Sequence, residues 1–288
     1  LREAACESGN ELVHGRHVWA ALDARRLRAG LAERRTLELI ERGVVRVQTR
    51  GSVVGLVNAL VVYHVGGHDF GRPMRVTATV GAGRSGIASV ERVVGLSGKS
   101  HDKGMQILTG WLRERLGRTR TLAVAAAVAF EQSYGRVDGD SATLTELLVV
   151  LSALSGVALD QGVAVTGSIN QLGEIQSVGG VNEKIEGFYA TCKLQGLTGS
   201  QGVCIPDTNV PDLCLDDEVV EACARGEFHV WPVASLEEAV ALVAQADLGA
   251  ADEQGRYPAG SVLGRAGATL DQFQRVVRLQ GKGERPPS

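Results

Sequence analysis

The chain has 288 residues, 44% of them hydrophobic, with 30 basic and 33 acidic side chains and a net charge of −3. That is length for one large domain, or one domain plus appendages, and enough apolar content for a real core. The near-balanced charge gives no basis for nucleic acid or an anionic membrane as partner, and the longest central apolar run, Leu122 to Phe130, is too short to span a bilayer.

The charged opening Leu1-Arg2-Glu3-Ala4 is no signal peptide, so a cytoplasmic protein is expected, and a first residue other than Met suits a piece of a longer polypeptide. Residues 1 to about 42 are rich in Arg, Glu, Ala and Leu, and predict helices over His17–Leu31 and Ala32–Glu41. At Gly43 the composition turns to valine, threonine and glycine. Val44–Thr49, Val53–Val62 and Arg75–Thr79 are strand candidates, with Arg50-Gly51 as a hairpin turn between the first two. The run from Gly81 to Gly86 predicts a flexible loop, and His101–Leu116 a helix with Ile107, Leu108, Trp111, Leu112 and Leu116 on its apolar face. Thr121–Phe130 is a buried strand, Leu144–Leu154 a helix, Gly162–Ile169 a strand and Asn170–Glu174 a turn. Gly179-Gly180 breaks the chain before a helix from Val181 to about Gln195. Gly202–Ile205 is a short strand stopped by Pro206. Helix, strand and helix follow over Glu218–Ala224, Phe228–Trp231 and Leu236–Ala244, and the glycine- and proline-containing stretch 249–288 is expected to be loosely ordered. Several strands are joined by tight turns and so run antiparallel, which makes the sheet mixed and the class α+β.

Most motif readings fail on spacing. Gly95-Leu96-Ser97-Gly98-Lys99-Ser100 looks like a phosphate loop, but Val93 stands where the first glycine belongs. The histidines, His14, His17, His64, His68, His101 and His229, form no His-Glu-x-x-His pair, so no metal site is expected. Five cysteines, Cys6, Cys192, Cys204, Cys214 and Cys223, lack metal-ligand spacing and read as reduced thiols. Gly139-Asp140-Ser141 is followed by Ala142-Thr143, which fits neither a chymotrypsin-like nucleophile nor the elbow of α/β-hydrolases.

Ser141 nevertheless falls where a strand, a glycine-bearing loop and the start of a helix meet. It is either a helix N-cap, with Glu146 supporting the first turns, or a nucleophile beside unpaired helix N–H groups. With no histidine in a suitable context, its base would have to be another group. Lys184 shares the edge of the apolar face made by Val181, Ile185, Phe188 and Cys192. It is either a snorkelling surface lysine or an amine whose burial lowers its pKa until it accepts a proton. Lys193, on the opposite side of that helix, reads as solvated.

Asp138-Gly139-Asp140-Ser141-Ala142, Val165-Thr166-Gly167-Ser168-Ile169-Asn170-Gln171-Leu172-Gly173-Glu174 and Gly179-Gly180-Val181-Asn182-Glu183-Lys184 together resemble the proteolytic domain of Lon proteases, and the separation of Ser141 from Lys184 agrees with that pattern. Phe130-Glu131-Gln132-Ser133-Tyr134-Gly135 and the run from Leu96 to Gly104 look most like the LonB-like branch, and the likeness covers about Val44 to Leu242. The resemblance implies an α+β domain, 43–248, of the ribosomal protein S5 domain 2-like type, assembling into a hexameric ring and degrading unfolded polypeptides. It implies Ser141 as nucleophile, Lys184 as base, Thr166 orienting the lysine, and helix N–H groups forming part of an oxyanion hole. It implies residues 1–42 as the end of an AAA+ helical subdomain whose ATPase, with ATP and Mg, lies outside this chain. No cofactor or metal is expected within it. Asp140 stands where the best-known Lon form has proline, and Asp138 lies three residues before the serine. A carboxylate there is expected to pair with Lys184, keep it protonated and leave the isolated domain poorly active. Two further readings compete: a ring-forming scaffold with an inactive dyad, and a binding module on a similar fold.

Overall fold

The computed structural model describes residues 5–6, 9, 12–118 and 120–281. Two helices, α1 (Gly15–Ala29) and α2 (Leu31–Glu41), precede an extended segment, 44–49. Then come β1 (Ser52–Val53), β2 (Leu56–Val65), β3 (His68–Ala82), β4 (Gly86–Ser89), a single turn α3 (Val90–Val93), α4 (Lys99–Leu116) and β5 (Val124–Phe130). The second half runs α5 (Thr143–Ser155), β6 (Leu159–Asp160), β7 (Val163–Val165), β8 (Ser168–Ile169), β9 (Ile175–Gln176), α6 (Val181–Gln195), β10 (Gly202–Pro206), a 3-10 turn, α7 (Asp217–Ala224), β11 (His229–Val233), α8 (Leu236–Ala244) and α9 (Val262–Gly281).

Seven strands form one mixed sheet in the order β11-β10-β7-β2-β3-β5-β4. β2, β3 and β5 are antiparallel neighbours, whereas β2 with β7, β7 with β10, β10 with β11 and β5 with β4 are parallel. The alternation of side chains assigns the two faces. Val57, Ala59, Val163, Val165 and Cys204 join the larger core with α4, α5, α8 and α9. Leu60, Ala164, Val203 and Ile205 join a smaller core with α6 and α7. The class is therefore α+β with helices on both faces, as expected.

Helix α5 lies almost wholly inside the larger core, with every residue from Thr143 to Ser155 buried except Ala153. On the other face α6 comes against β3 backbone to backbone. A Cβ on Gly71 would meet the carbonyl oxygen of Glu183 at 1.9 Å, and one on Gly187 would meet that of Gly71 at 2.1 Å. This contact sets the height of the Glu183-Lys184 turn above the sheet.

Three expectations are corrected. Residues 44–49 belong to no strand, and the hairpin turn is at Gly66-Gly67, both at positive φ (62° and 76°), rather than at Arg50-Gly51. The strand expected over Gly162–Ile169 stops at Val165, and β8 pairs separately with β9. The stretch expected to be loosely ordered contains α9, 20 residues long, which buries Val262, Leu263, Ala266, Gly267 and Leu270 against α5. Its glycines and prolines lie mostly before the helix, where the chain is irregular; residues 282–288 lie outside the described residues.

Leu270 is 1% exposed, so Leu270→Ala is expected to cost about 2–4 kcal/mol in urea unfolding. A solvated tail would give no change.

Candidate active site

After Phe130 the chain leaves the sheet and is tied down in stages before α5 begins. The Val137 N–H donates to Leu96 O (2.9 Å), and the Gly98 N–H to Val137 O (2.7 Å). Asp138 Oδ1 accepts from the backbone N–H of Gly139 (2.9 Å), Ser100 (3.1 Å) and His101 (3.4 Å). Asp138 thus caps the N-terminus of α4 from another segment, and its carboxylate fills the space a Cβ on Gly98 would need. The Gly139 N–H first, then those of α4, hold its pKa below the usual carboxylate range. The N–H groups of Gly98 and Ser100, which a phosphate would otherwise use, are therefore occupied.

The segment beginning α5 is then clamped to the end of β7. The Gly167 N–H donates to Ser141 O (2.9 Å), the Leu144 N–H to Gly167 O (3.1 Å), and Thr145 Oγ1 to Val165 O (3.0 Å). Thr143 donates from both N–H (3.0 Å) and Oγ1 (2.7 Å) to Asp140 O. The N-cap position is Ala142, so Ser141 is not the cap of this helix. Among the described residues the Ser141 hydroxyl has no hydrogen-bond partner, and the backbone N–H groups of Ser141 and Ala142 have no intramolecular acceptor.

Lys184 approaches from the opposite face of the sheet. Its side chain is 3% exposed, and Nζ donates to Thr166 Oγ1 at 3.1 Å. Thr166 Oγ1 in turn donates to Ser141 O at 3.3 Å. A hydroxyl has one proton, so Thr166 gives it to the Ser141 carbonyl and can only accept from the lysine. A neutral Lys184 then keeps its lone pair free. Burial is the largest influence on the amine and lowers its pKa to about 8; Glu183 and then Asp140 pull it back up by smaller amounts.

Ser141 and Lys184 line one cavity of about 600 Å³, with Asp138, Arg136 and the β2 residues Val61, Val62, Tyr63 and His64. The two faces meet here because β7 pairs with β2 only at Asn58 and Ala59. Beyond Ala59 no strand among the described residues occupies that edge of β2. Tyr63 is fixed as a wall by stacking on Phe70 and by Arg72, whose Cζ lies 5.0 Å from its ring centroid.

The structure brings Ser141, Lys184 and Thr166 together. The expected ion pair is corrected: among the described residues no carboxylate pairs with Lys184, because Asp138 is engaged by backbone N–H groups and Asp140 acts only at a distance. Lys193 is half-exposed, in keeping with a solvated side chain, and it pairs with Glu218. No disulfide and no cluster fit for a metal occurs among the described residues. Sequence reading passed over Gly71 and Gly187, whose role needs the helix-on-strand contact. It also passed over His101, which pairs with Glu146 at 2.7 Å with both side chains 1% exposed; no local spacing signals a partner so distant in sequence.

Residues 45–245 match the family model for the Lon protease (S16) C-terminal proteolytic domain. The chain is 40% identical to a Lon protease homolog of Escherichia coli (strain K12) over 84% of its own length and 42% of that protein. It is 44% identical to a Lon protease homolog of Haemophilus influenzae over 71% of its length and 34% of the relative. An archaeal Lon protease of Archaeoglobus fulgidus is 29% identical over 82% of the chain and 35% of that protein. The chain thus spans about two fifths or less of these relatives.

A lysine of pKa about 8 in the fold and about 10.4 unfolded binds a proton less readily when folded, so it costs stability below pH 8, and the cost fades as pH rises toward 10.4. Lys184→Met is therefore expected to stabilise the protein at pH 7 by up to about 3 kcal/mol, a gain that shrinks steadily above pH 8. Urea unfolding at a series of pH values measures it, and a gain independent of pH would contradict the buried amine.

Proposed function

The chain belongs to the Lon protease family through its S16 proteolytic domain, and on that premise we propose that it is a serine endopeptidase in which Ser141 is the nucleophile and Lys184 the general base. The observation that carries this reading is the arrangement around Thr166: one hydroxyl ties the serine's carbonyl to a buried amine of lowered pKa.

An extended peptide lies along the open edge of β2 beyond Ala59, using main-chain hydrogen bonds for affinity, with side chains against Val61, Val62 and Met74. The Ser141 hydroxyl turns toward Lys184, and Nζ takes its proton as Oγ bonds to the scissile carbonyl carbon. The oxyanion is received by the N–H groups of Ser141 and Ala142. The ammonium then returns the proton to the leaving amine, the C–N bond breaks, and an acyl-enzyme remains. Water, deprotonated by the same amine, releases the acid and restores Ser141.

For the whole protein the proposal extends to unfolded polypeptides as substrates, to a hexameric ring, and to ATP and Mg used by an ATPase module. The resemblance supports these, and the relatives carry more than half their length outside the matched part. No helix among the described residues is long and apolar enough to cross a membrane; a cytoplasmic setting belongs to the same proposal.

Casein digestion by wild type and by Ser141→Ala tests the chemistry. Ser141→Ala is expected to lose at least about 10³-fold in kcat, whereas equal rates would leave a ring-forming scaffold. Since the base must be neutral, kcat is expected to rise about tenfold per pH unit below about 8 and to level above it. A profile flat from pH 6 to 9 would remove Lys184 from the role.

A further inference from the structure

The arc from Asp138 to Glu146 carries Ser141, and both of its ends are fastened to the same place, the first turn of α4. On one side Asp138 Oδ1 accepts from the backbone N–H of Ser100 and His101. On the other, His101 Nε2 lies 2.7 Å from Glu146 Oε1, inside the first turn of α5. Both side chains are 1% exposed. The imidazole stands edge-on to Phe130, the last residue of β5, with ring centroids 5.6 Å apart. Among the described residues its buried Nδ1 has no partner, so there the one polar contact of the ring is to Glu146.

We propose that His101 is a positioning residue for the nucleophile: through Glu146 it holds the opening turn of α5, and with it Ser141 and the adjoining N–H groups, at the place the cavity requires. The inference rests on the endopeptidase reading above. Stability alone does not account for the pair. A buried ion pair commonly contributes no more than well-packed apolar side chains of the same volume, and an apolar pair would also leave no unpartnered Nδ1. What apolar side chains do not provide is a directional contact of fixed length between α4 and α5. The other charged groups around the ring are engaged elsewhere. Glu91 accepts from the Phe130 N–H (2.7 Å) and from Ser89 Oγ (2.8 Å), and Asp102 accepts from Ser97 Oγ (2.7 Å).

Two amide substitutions separate the ring nitrogens. The glutamine amide of His101→Gln reaches the place of Nε2, whereas that of His101→Asn reaches only the place of Nδ1, which has no acceptor. In the full chain, kcat and KM are measured on a fluorogenic peptide, together with the rate at which a fluorophosphonate labels Ser141; thermal melting checks the fold. His101→Asn is expected to lose about 10²-fold in kcat and in labelling rate, with KM within about twofold, and His101→Gln to recover most of the loss. The double variant His101→Phe/Glu146→Leu, which keeps the volume without the polar contact, is expected to stay folded and to be as slow as His101→Asn. A folded His101→Asn or double variant with wild-type kcat and labelling overturns the positioning role and leaves the endopeptidase reading standing. Wild type that neither cleaves nor labels at Ser141 overturns both.

Discussion

Thr166 has a single hydroxyl proton, and the chemistry of the site turns on where that proton goes. It is directed to the carbonyl of Ser141, which leaves the oxygen to accept from Lys184. The lysine therefore spends an N–H on Thr166 rather than its lone pair. A serine peptidase without histidine needs that order, because an amine that accepted a hydrogen bond from threonine would have nothing left to take a proton with. The same hydrogen bond ties the segment before α5 to the end of β7. One side chain thus fixes the register of the proposed nucleophile and the polarity of the proposed base.

The fold makes this contact possible by ending a strand early. Ser141 comes in with the elements of the larger core and Lys184 with those of the smaller one. A continuous sheet would separate them by its own thickness. Because β7 stops at Val165, the Thr166 N–H still holds Cys204 O of β10 while that of Gly167 turns to the Ser141 carbonyl, and the two faces share one cavity. The approach of α6 to β3 completes the geometry: with glycine at 71 and 187, the helix backbone settles directly on the strand and carries Lys184 down to the level of the gap. Burying the amine there costs stability at neutral pH. In the proposed mechanism that cost lowers the pKa far enough for the base to work.

Much of this was legible in the sequence, and the failures share a cause. Helices with a clear apolar period, such as Val181–Gln195 and Leu236–Ala244, were read to their observed ends. The serine, lysine and threonine were found because their neighbours form ordered motifs. Valine-rich 44–49 is misleading because β propensity reports a half-buried surface, not a partner, and among the described residues this segment pairs with no strand. The helix Val262–Gly281 is hidden from composition because the glycine and proline of the whole tail mask the apolar spacing of Val262, Leu263, Ala266 and Leu270. His101 with Glu146 was out of reach because each looks ordinary along the chain, and their contact exists only once α4 and α5 are packed.

The acidic spelling around Ser141 shows how far geometry outweighs composition. Two carboxylates within three residues of a serine suggest, on charge alone, a lysine held protonated beside it. At 4 Å and surface-like screening, such a pair is worth about 4 kcal/mol of Coulomb energy, enough to undo the lowering that burial produces. Yet Asp138 directs its oxygen to the N–H groups at the start of α4 and at Gly139, and Asp140 contributes its carbonyl, not its carboxylate, to the contacts that begin α5. The carboxylates thus serve the backbone or face solvent, and the balance at Lys184 is left to burial, with Glu183 and Asp140 as lesser opposing charges. Acidic residues beside this serine are compatible with a lysine base because the first of them is committed to holding the loop in place.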